Sequence, residues 1–220
     1  MAQIRGVILD VDGTLIDSND ALARAWLEAM AQYGHFVPYE QIRWLIGEGG
    51  DKLMPQTLGL PAHSDEGKRI AARRKAVFNQ LYMPTLQAFP ETRELVQRMH
   101  DSGLKVAIGS SAKQDELETE LRIANIEDLV DIVVSGSDVE HSKPSPSIVE
   151  MALEKLGLPP DEVVMIGDTP YDIESATKAR VRTIAMRTGG WTEKELASAI
   201  AIYSDPADLL EHYATSPLAQ

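Results

Sequence analysis

The chain has 220 residues, 44% of them hydrophobic, and a formal net charge of −13. That length suits one large domain or a compact domain carrying an insertion, and the apolar content supports a core, which excludes folds built on disorder. The absence of cysteine excludes disulfides and thiolate metal sites, and the acidic balance argues against nucleic acid and anionic membrane surfaces as partners.

The first predicted element is Ile4-Arg-Gly-Val-Ile-Leu-Asp10, a short apolar run ending in a carboxylate. It reads as a buried strand with polar chemistry at its C-terminal end. From Leu15 to Thr85 the pattern is helical throughout. Leu22, Trp26, Leu27 and Met30 form one stripe, Leu53, Met54, Thr57 and Leu58 another, and Ala71 to Leu81 reads as a long helix. Between the stripes lies Gly47-Glu-Gly-Gly50.

From residue 90 the rhythm changes. A helix is expected from Pro90 to Met99, then a strand, Leu104-Lys-Val-Ala-Ile-Gly-Ser110. A helix around Leu117 and Leu121 leads to a strand at Asp131–Ser135, and a loop with Lys143-Pro-Ser-Pro146 leads to a helix over Ser147–Leu156. Two more strands follow, Val163-Val-Met-Ile-Gly-Asp168 and Val181-Arg-Thr-Ile-Ala-Met186. The tail after Ala214 is expected to fray.

Alternating strands and helices predict an α/β fold, a doubly wound parallel sheet of the Rossmann type. More than ninety residues separate the first two strands, where a crossover takes about 10–12. The excess is an inserted α-helical cap, so the expected division is a core of 1–15 and 86–220 and a cap of 16–85, with hinges near Ile16–Asn19 and Pro84–Phe89. No apolar run reaches the roughly 18 residues of a membrane span. The N-terminal segment lacks the basic and apolar regions of a secretory signal, so a cytoplasmic location is expected. A monomer and a homodimer are equally compatible with the sequence.

Open parallel sheets bind ligands at the carboxyl ends of their strands. Those ends carry Asp10-Val-Asp12-Gly-Thr14, Gly109-Ser110-Ser111, Lys143 and Gly167-Asp168-Thr-Pro-Tyr-Asp172. Crowded carboxylates repel one another unless a cation sits among them. A hard divalent ion with oxygen ligands fits, and magnesium is the natural choice. A carboxylate beside it can attack phosphorus, and a second acid two residues along can serve as acid and base.

Taken together, Asp10-x-Asp12-Gly-Thr-Leu, the strand-end Ser110, Lys143-Pro-x-Pro and Gly167-Asp168-x-x-x-Asp172 resemble the four ordered motifs of the haloacid dehalogenase-like phosphatase superfamily, over residues 4 to 190. The place of the insertion resembles members with a helical type-1 cap. The resemblance implies Asp10 as nucleophile and metal ligand, and Asp12 as acid and base with its backbone carbonyl on the metal. It implies Ser110 and Lys143 as phosphate ligands and Asp168 as a magnesium ligand, with Asp172 supporting the metal site or Lys143. Keeping Asp12 favours phosphate esters over haloacids or phosphonates. Ile42-Arg-Trp-Leu-Ile-Gly-Glu-Gly-Gly50 is similar to the cap loop of phosphoglycolate phosphatases, which makes a small phosphomonoester, 2-phosphoglycolate or a sugar phosphate, the expected substrate.

Each residue also has a plainer reading. Ser110 can cap the following helix while binding anion there, and Ser111 is the alternative one position along. Lys143 can be a solvated lysine, and Asp172 can simply start a helix. Thr14 is taken as a supporting residue. Gly47 and Gly49 serve either a flexible turn or a loop lowered over substrate, and Arg43 either meets a substrate carboxylate or sits on the surface. The alternative activities are a phosphomutase of the β-phosphoglucomutase kind and, further off, a binding protein on an enzyme scaffold.

Overall fold

The computed structural model describes residues 3–219. By its internal packing the chain divides into two compact units, Met1–Asp17 with Gln87–Gln220, and Ser18–Leu86. No helix among the described residues is long and apolar enough to cross a membrane.

The first unit is a parallel α/β sheet. Its strands are β1 (Gly6–Leu9), β2 (Lys105–Gly109), β3 (Ile132–Val134), β4 (Val163–Gly167), β5 (Arg182–Met186) and β6 (Ala201–Tyr203), in the order β3-β2-β1-β4-β5-β6. Every pairing is parallel. β1 and β4 are buried along their whole length, which explains their continuous apolar sequence: helices cover both faces of such a sheet. One face carries Ile8, Ala107 and Met165, packed against Ile148, Ala152 and Ala176. The last three lie on the helices at Ser147–Leu156 and Pro170–Lys178.

The strand order places the topological switch between β1 and β4. From β1 the chain winds outward through β2 and β3, then crosses back to β4 and proceeds the other way. Asp10 leaves the end of β1 and Asp168 the end of β4, and the Asp10 amide donates to the Ile166 carbonyl at 2.9 Å. The two acids are thus brought to one crevice by the ladder itself.

The second unit is helical, with α1 (Asn19–Gln32), α2 (Tyr39–Arg43), α3 (Gly50–Leu58) and α4 (Asp65–Val77). Helices α1 and α4 pack together, with the Arg74 guanidinium over the rings of Trp26 and Phe78. The expected helix from Ala71 to Leu81 begins earlier, because the Ser64 hydroxyl caps it by accepting from the Gly67 amide at 3.1 Å. It also ends differently, passing into a π-helical turn over Phe78–Tyr82.

The core unit differs from expectation in two places. A sixth strand, β6, extends the sheet beyond β5. The tail after Ala214 does not fray: it forms short 3-10 turns, with Ser216 and Leu218 buried.

Candidate active site

The turn after β1 shapes the site's first half. The Val11 carbonyl accepts the amides of Thr14, Leu15 and Ile16 at 3.2, 2.9 and 3.0 Å. So tight a reversal puts Gly13 at φ +74, in the left-handed region that a side chain disfavours. The turn folds Thr14 back over the strand end. Its hydroxyl lies 3.3 Å from Asp10 Oδ2 and 3.0 Å from Asp168 Oδ1, so it spans the two acids.

Lys143 supplies the centre. It is 1% exposed, and its Nζ stands 2.5 Å from Asp10 Oδ1 and 2.7 Å from Asp172 Oδ1. The remaining oxygen of Asp172 accepts from the Thr169 amide at 3.0 Å and the Thr169 hydroxyl at 2.6 Å. The Thr169 hydroxyl in turn accepts from the Asp172 amide at 3.3 Å, which with the Thr169 amide bond completes a capping box at the start of the helix Pro170–Lys178. Gly167 permits this packing, since a Cβ there would lie 2.5 Å from Asp172 Cβ.

Asp10, Asp168 and Asp172, all buried, present ligand atoms within 4.8 Å of one another. Three carboxylates and one ammonium leave a formal charge of −2 when all are ionised. Burial pushes Asp10 well above the usual carboxylate range. Asp172 and Asp168 push the same way, and Lys143 opposes them without cancelling the effect. Burial alone would lower the Lys143 ammonium, but the charges of Asp10 and Asp172 outweigh it and hold its pKa above the ordinary value. The donor set is hard oxygen throughout and carries excess negative charge, which suits magnesium. Both oxygens of Asp172 are already engaged, by Lys143 and Thr169.

The structure therefore brings Asp10, Thr14, Lys143, Asp168 and Asp172 together. Asp12 lies half-buried on the β1 turn, outside the three-carboxylate group. Ser110 ends the neighbouring β2, 1% exposed, and its hydroxyl oxygen accepts from the Ala112 amide at 3.0 Å, while Ser111 is half-buried beside it. Arg43, Gly47 and Gly49 belong to the helical unit. There Arg43 Nε donates to Asp20 at 3.0 Å and its guanidinium lies over Trp44, Gly47 adopts φ +109, and Gly49 caps α3.

Sequence reasoning passed over two residues at the site. Thr169 was legible, because Thr169-Pro-Tyr-Asp172 before a helix is a capping-box pattern. Gly189, whose backbone lies against Asp168, gives no local signal.

A parallel sheet with buried acids and a lysine at its switch point defines an α/β enzyme. The chain belongs to the haloacid dehalogenase-like hydrolase family, whose model matches residues 7–186. It is similar to the phosphoglycolate phosphatase of Yersinia pestis, at 32% identity over 96% of this chain and 90% of that protein. It is also similar to the pyrophosphatase PpaX of Bacillus cereus strain AH820, at 29% identity over 87% of this chain and 86% of that protein. A hydrolase from Pseudomonas syringae has a matching crystal structure, with a TM-score of 0.88 and 28% identity over 96% of this chain and 98% of the other.

Proposed function

We propose that the chain is a magnesium-dependent phosphatase that hydrolyses a small phosphomonoester through an aspartyl phosphate on Asp10. The observation that carries this reading is the state of Asp10. It is a buried carboxylate at the switch point, gripped by Lys143 and linked through Thr14 to Asp168, in a group whose charge calls for a cation. Asp10, Asp168 and the main-chain carbonyl of Asp12 would hold magnesium, whose positive charge would let Asp10 remain ionised beside a phosphoryl dianion.

The chain's own groups then do the rest. An Asp10 carboxylate oxygen attacks phosphorus in line, and the bond from phosphorus to the leaving oxygen breaks as Asp12 gives that oxygen its proton. Asp12 next takes a proton from water, the resulting hydroxide attacks phosphorus, and the acyl phosphate bond breaks to return Asp10 and inorganic phosphate. Lys143 and the strand-end hydroxyl, Ser110 rather than Ser111, hold the phosphoryl oxygens as charge spreads over them. Ser110 is favoured because it follows β2 immediately, and β2 pairs with β1. The helical unit serves as a cap that excludes bulk water during turnover, with Arg43, Gly47 and Gly49 as its candidate substrate residues.

The relatives support the substrate class. The 32% match along nearly the whole chain to a phosphoglycolate phosphatase favours a small carboxylated phosphomonoester. The test is phosphate release over a metabolite panel with magnesium, including 2-phosphoglycolate, pyrophosphate and sugar monophosphates, repeated with a chelator. Magnesium-dependent release from 2-phosphoglycolate above the other compounds supports the proposal. Release from pyrophosphate alone, isomerisation of a sugar phosphate faster than its hydrolysis, or activity indifferent to the chelator contradicts it.

A further inference from the structure

Asp168 is held from two sides. Thr14 bonds its Oδ1 at 3.0 Å. On the other side lies Gly189, at the end of the 3-10 turn Arg187–Gly189 that follows β5. A Cβ on Gly189 would overlap the Asp168 main-chain carbonyl oxygen, come within 2.6 Å of Asp168 Oδ2 and lie 3.0 Å from Trp191 Cδ1. The backbone at Gly189 does not itself demand glycine, since its φ is not among the positive values, whereas its neighbour Gly190 stands at +82. Glycine is needed at 189 for contact, not for conformation.

The turn is anchored two residues beyond Gly189. Trp191 packs against Ile173, Ala185 and Leu196 and meets the Tyr171 ring edge-on, with centroids 6.1 Å apart. One residue further on, the Thr192 amide and hydroxyl both bond Glu195, at 2.9 and 2.6 Å. Bulk added at 189 meets Asp168 first, closer than it meets Trp191. That carboxylate would turn off the Thr14 hydroxyl, or its main chain would leave the end of β4.

We propose that Gly189 is a positioning residue for Asp168, and that the bare backbone after β5 fixes the rotamer in which this carboxylate presents itself to the cation. The inference rests on the magnesium reading above. A group that orients a metal ligand acts on affinity before it acts on chemistry, and such support is typically worth 10- to 100-fold in metal affinity.

The experiment is calorimetric titration of magnesium into the metal-free protein, its Gly189→Ala variant and its Gly190→Asn variant, with circular dichroism as the check of folding. Asparagine tolerates the left-handed backbone at 190, so this control disturbs the same turn without touching Asp168. The expected result is a folded Gly189→Ala protein whose magnesium affinity falls about tenfold or more, with Gly190→Asn unchanged. An unchanged affinity in Gly189→Ala, or an equal fall in Gly190→Asn, overturns the inference.

If Gly189→Ala does not fold, the test moves to the protein with Trp26→Phe and Trp44→Phe, which leaves Trp191 as the remaining indole of the three. Magnesium must then shift its fluorescence over the range in which the unaltered protein binds the ion, and a flat emission overturns the inference. If the unaltered protein binds no magnesium, the proposed function fails first and this inference with it. A failure confined to the variants leaves the proposed function standing.

Discussion

Lys143 Nζ stands 2.5 Å from Asp10 Oδ1, with both side chains almost wholly buried. The same ammonium holds Asp172 at 2.7 Å, so one cation restrains the strand-end acid of β1 and the first turn of the helix Pro170–Lys178. Breaking such a buried pair from one side leaves uncompensated charge and costs about 3–5 kcal/mol. Lys143→Ala is expected to lose stability of that order in urea denaturation of the metal-free protein. Its phosphatase activity should fall about a hundredfold or more, since the proposed function gives it the role of charged donor to the phosphoryl oxygens. A variant with ordinary stability and turnover would remove Lys143 from the site.

Thr169 secures the far oxygen of Asp172 through its amide and its hydroxyl. Thr169→Val deletes the hydroxyl at nearly constant volume, so two bonds go, the one it donates to the Asp172 carboxylate and the one it accepts from the Asp172 amide, at about 1–3 kcal/mol together. The measurable consequence is a lower melting temperature together with reduced turnover. Thr169→Ser restores both, and a serine variant no better than the valine one would contradict the assignment.

The raised Asp10 pKa fixes the direction of a pH effect. A carboxyl whose folded pKa lies above its unfolded value contributes stability that is present below the unfolded value of 3.8 and is lost as pH rises through the folded value. In the proposed function magnesium binds the ionised form, so protons compete with it. Magnesium's stabilisation of the fold, read from thermal melts with and without the ion, is expected to grow as pH rises from acid to neutral. A stabilisation that shrinks over that range would contradict the account.

Asp10→Asn tests the same electrostatics without metal. The variant removes a charge that burial and two neighbouring acids disfavour, while Lys143 keeps Asp172 as its partner. At neutral pH its metal-free melting temperature should equal or exceed that of the unaltered protein, while turnover falls about 10⁴-fold or more, as when a nucleophile is removed. Retained turnover would place the nucleophile elsewhere.

Much of this was legible in the sequence because parallel strands are buried on both faces. Runs such as Val163-Val-Met-Ile-Gly therefore stand out, and their ends mark where the acids collect. β6 escaped notice for the converse reason: Ala201-Ile-Tyr203 is three half-buried residues, too short to show a period. Helix α4 is rich in Lys and Arg, which blurs its apolar stripe and hid its start at Ser64. The role of Asp172 depends on which of its oxygens meets Lys143 and which meets Thr169, and motif spacing carries no such information. Gly189 lies 21 residues from Asp168 along the chain, and their contact exists only once β4 and β5 pair.

The proposed reaction passes through a phosphoryl group carried by Asp10. The direct measurement is to quench the enzyme during turnover of 2-phosphoglycolate, reduce it with borohydride and map the modified residue by peptide mass spectrometry. Acyl phosphates reduce to the alcohol under these conditions, and free carboxylates do not. The account predicts reduction at position 10, dependent on both substrate and magnesium and absent in Asp10→Asn. Reduction at another acid, or none while phosphate is being released, would contradict it.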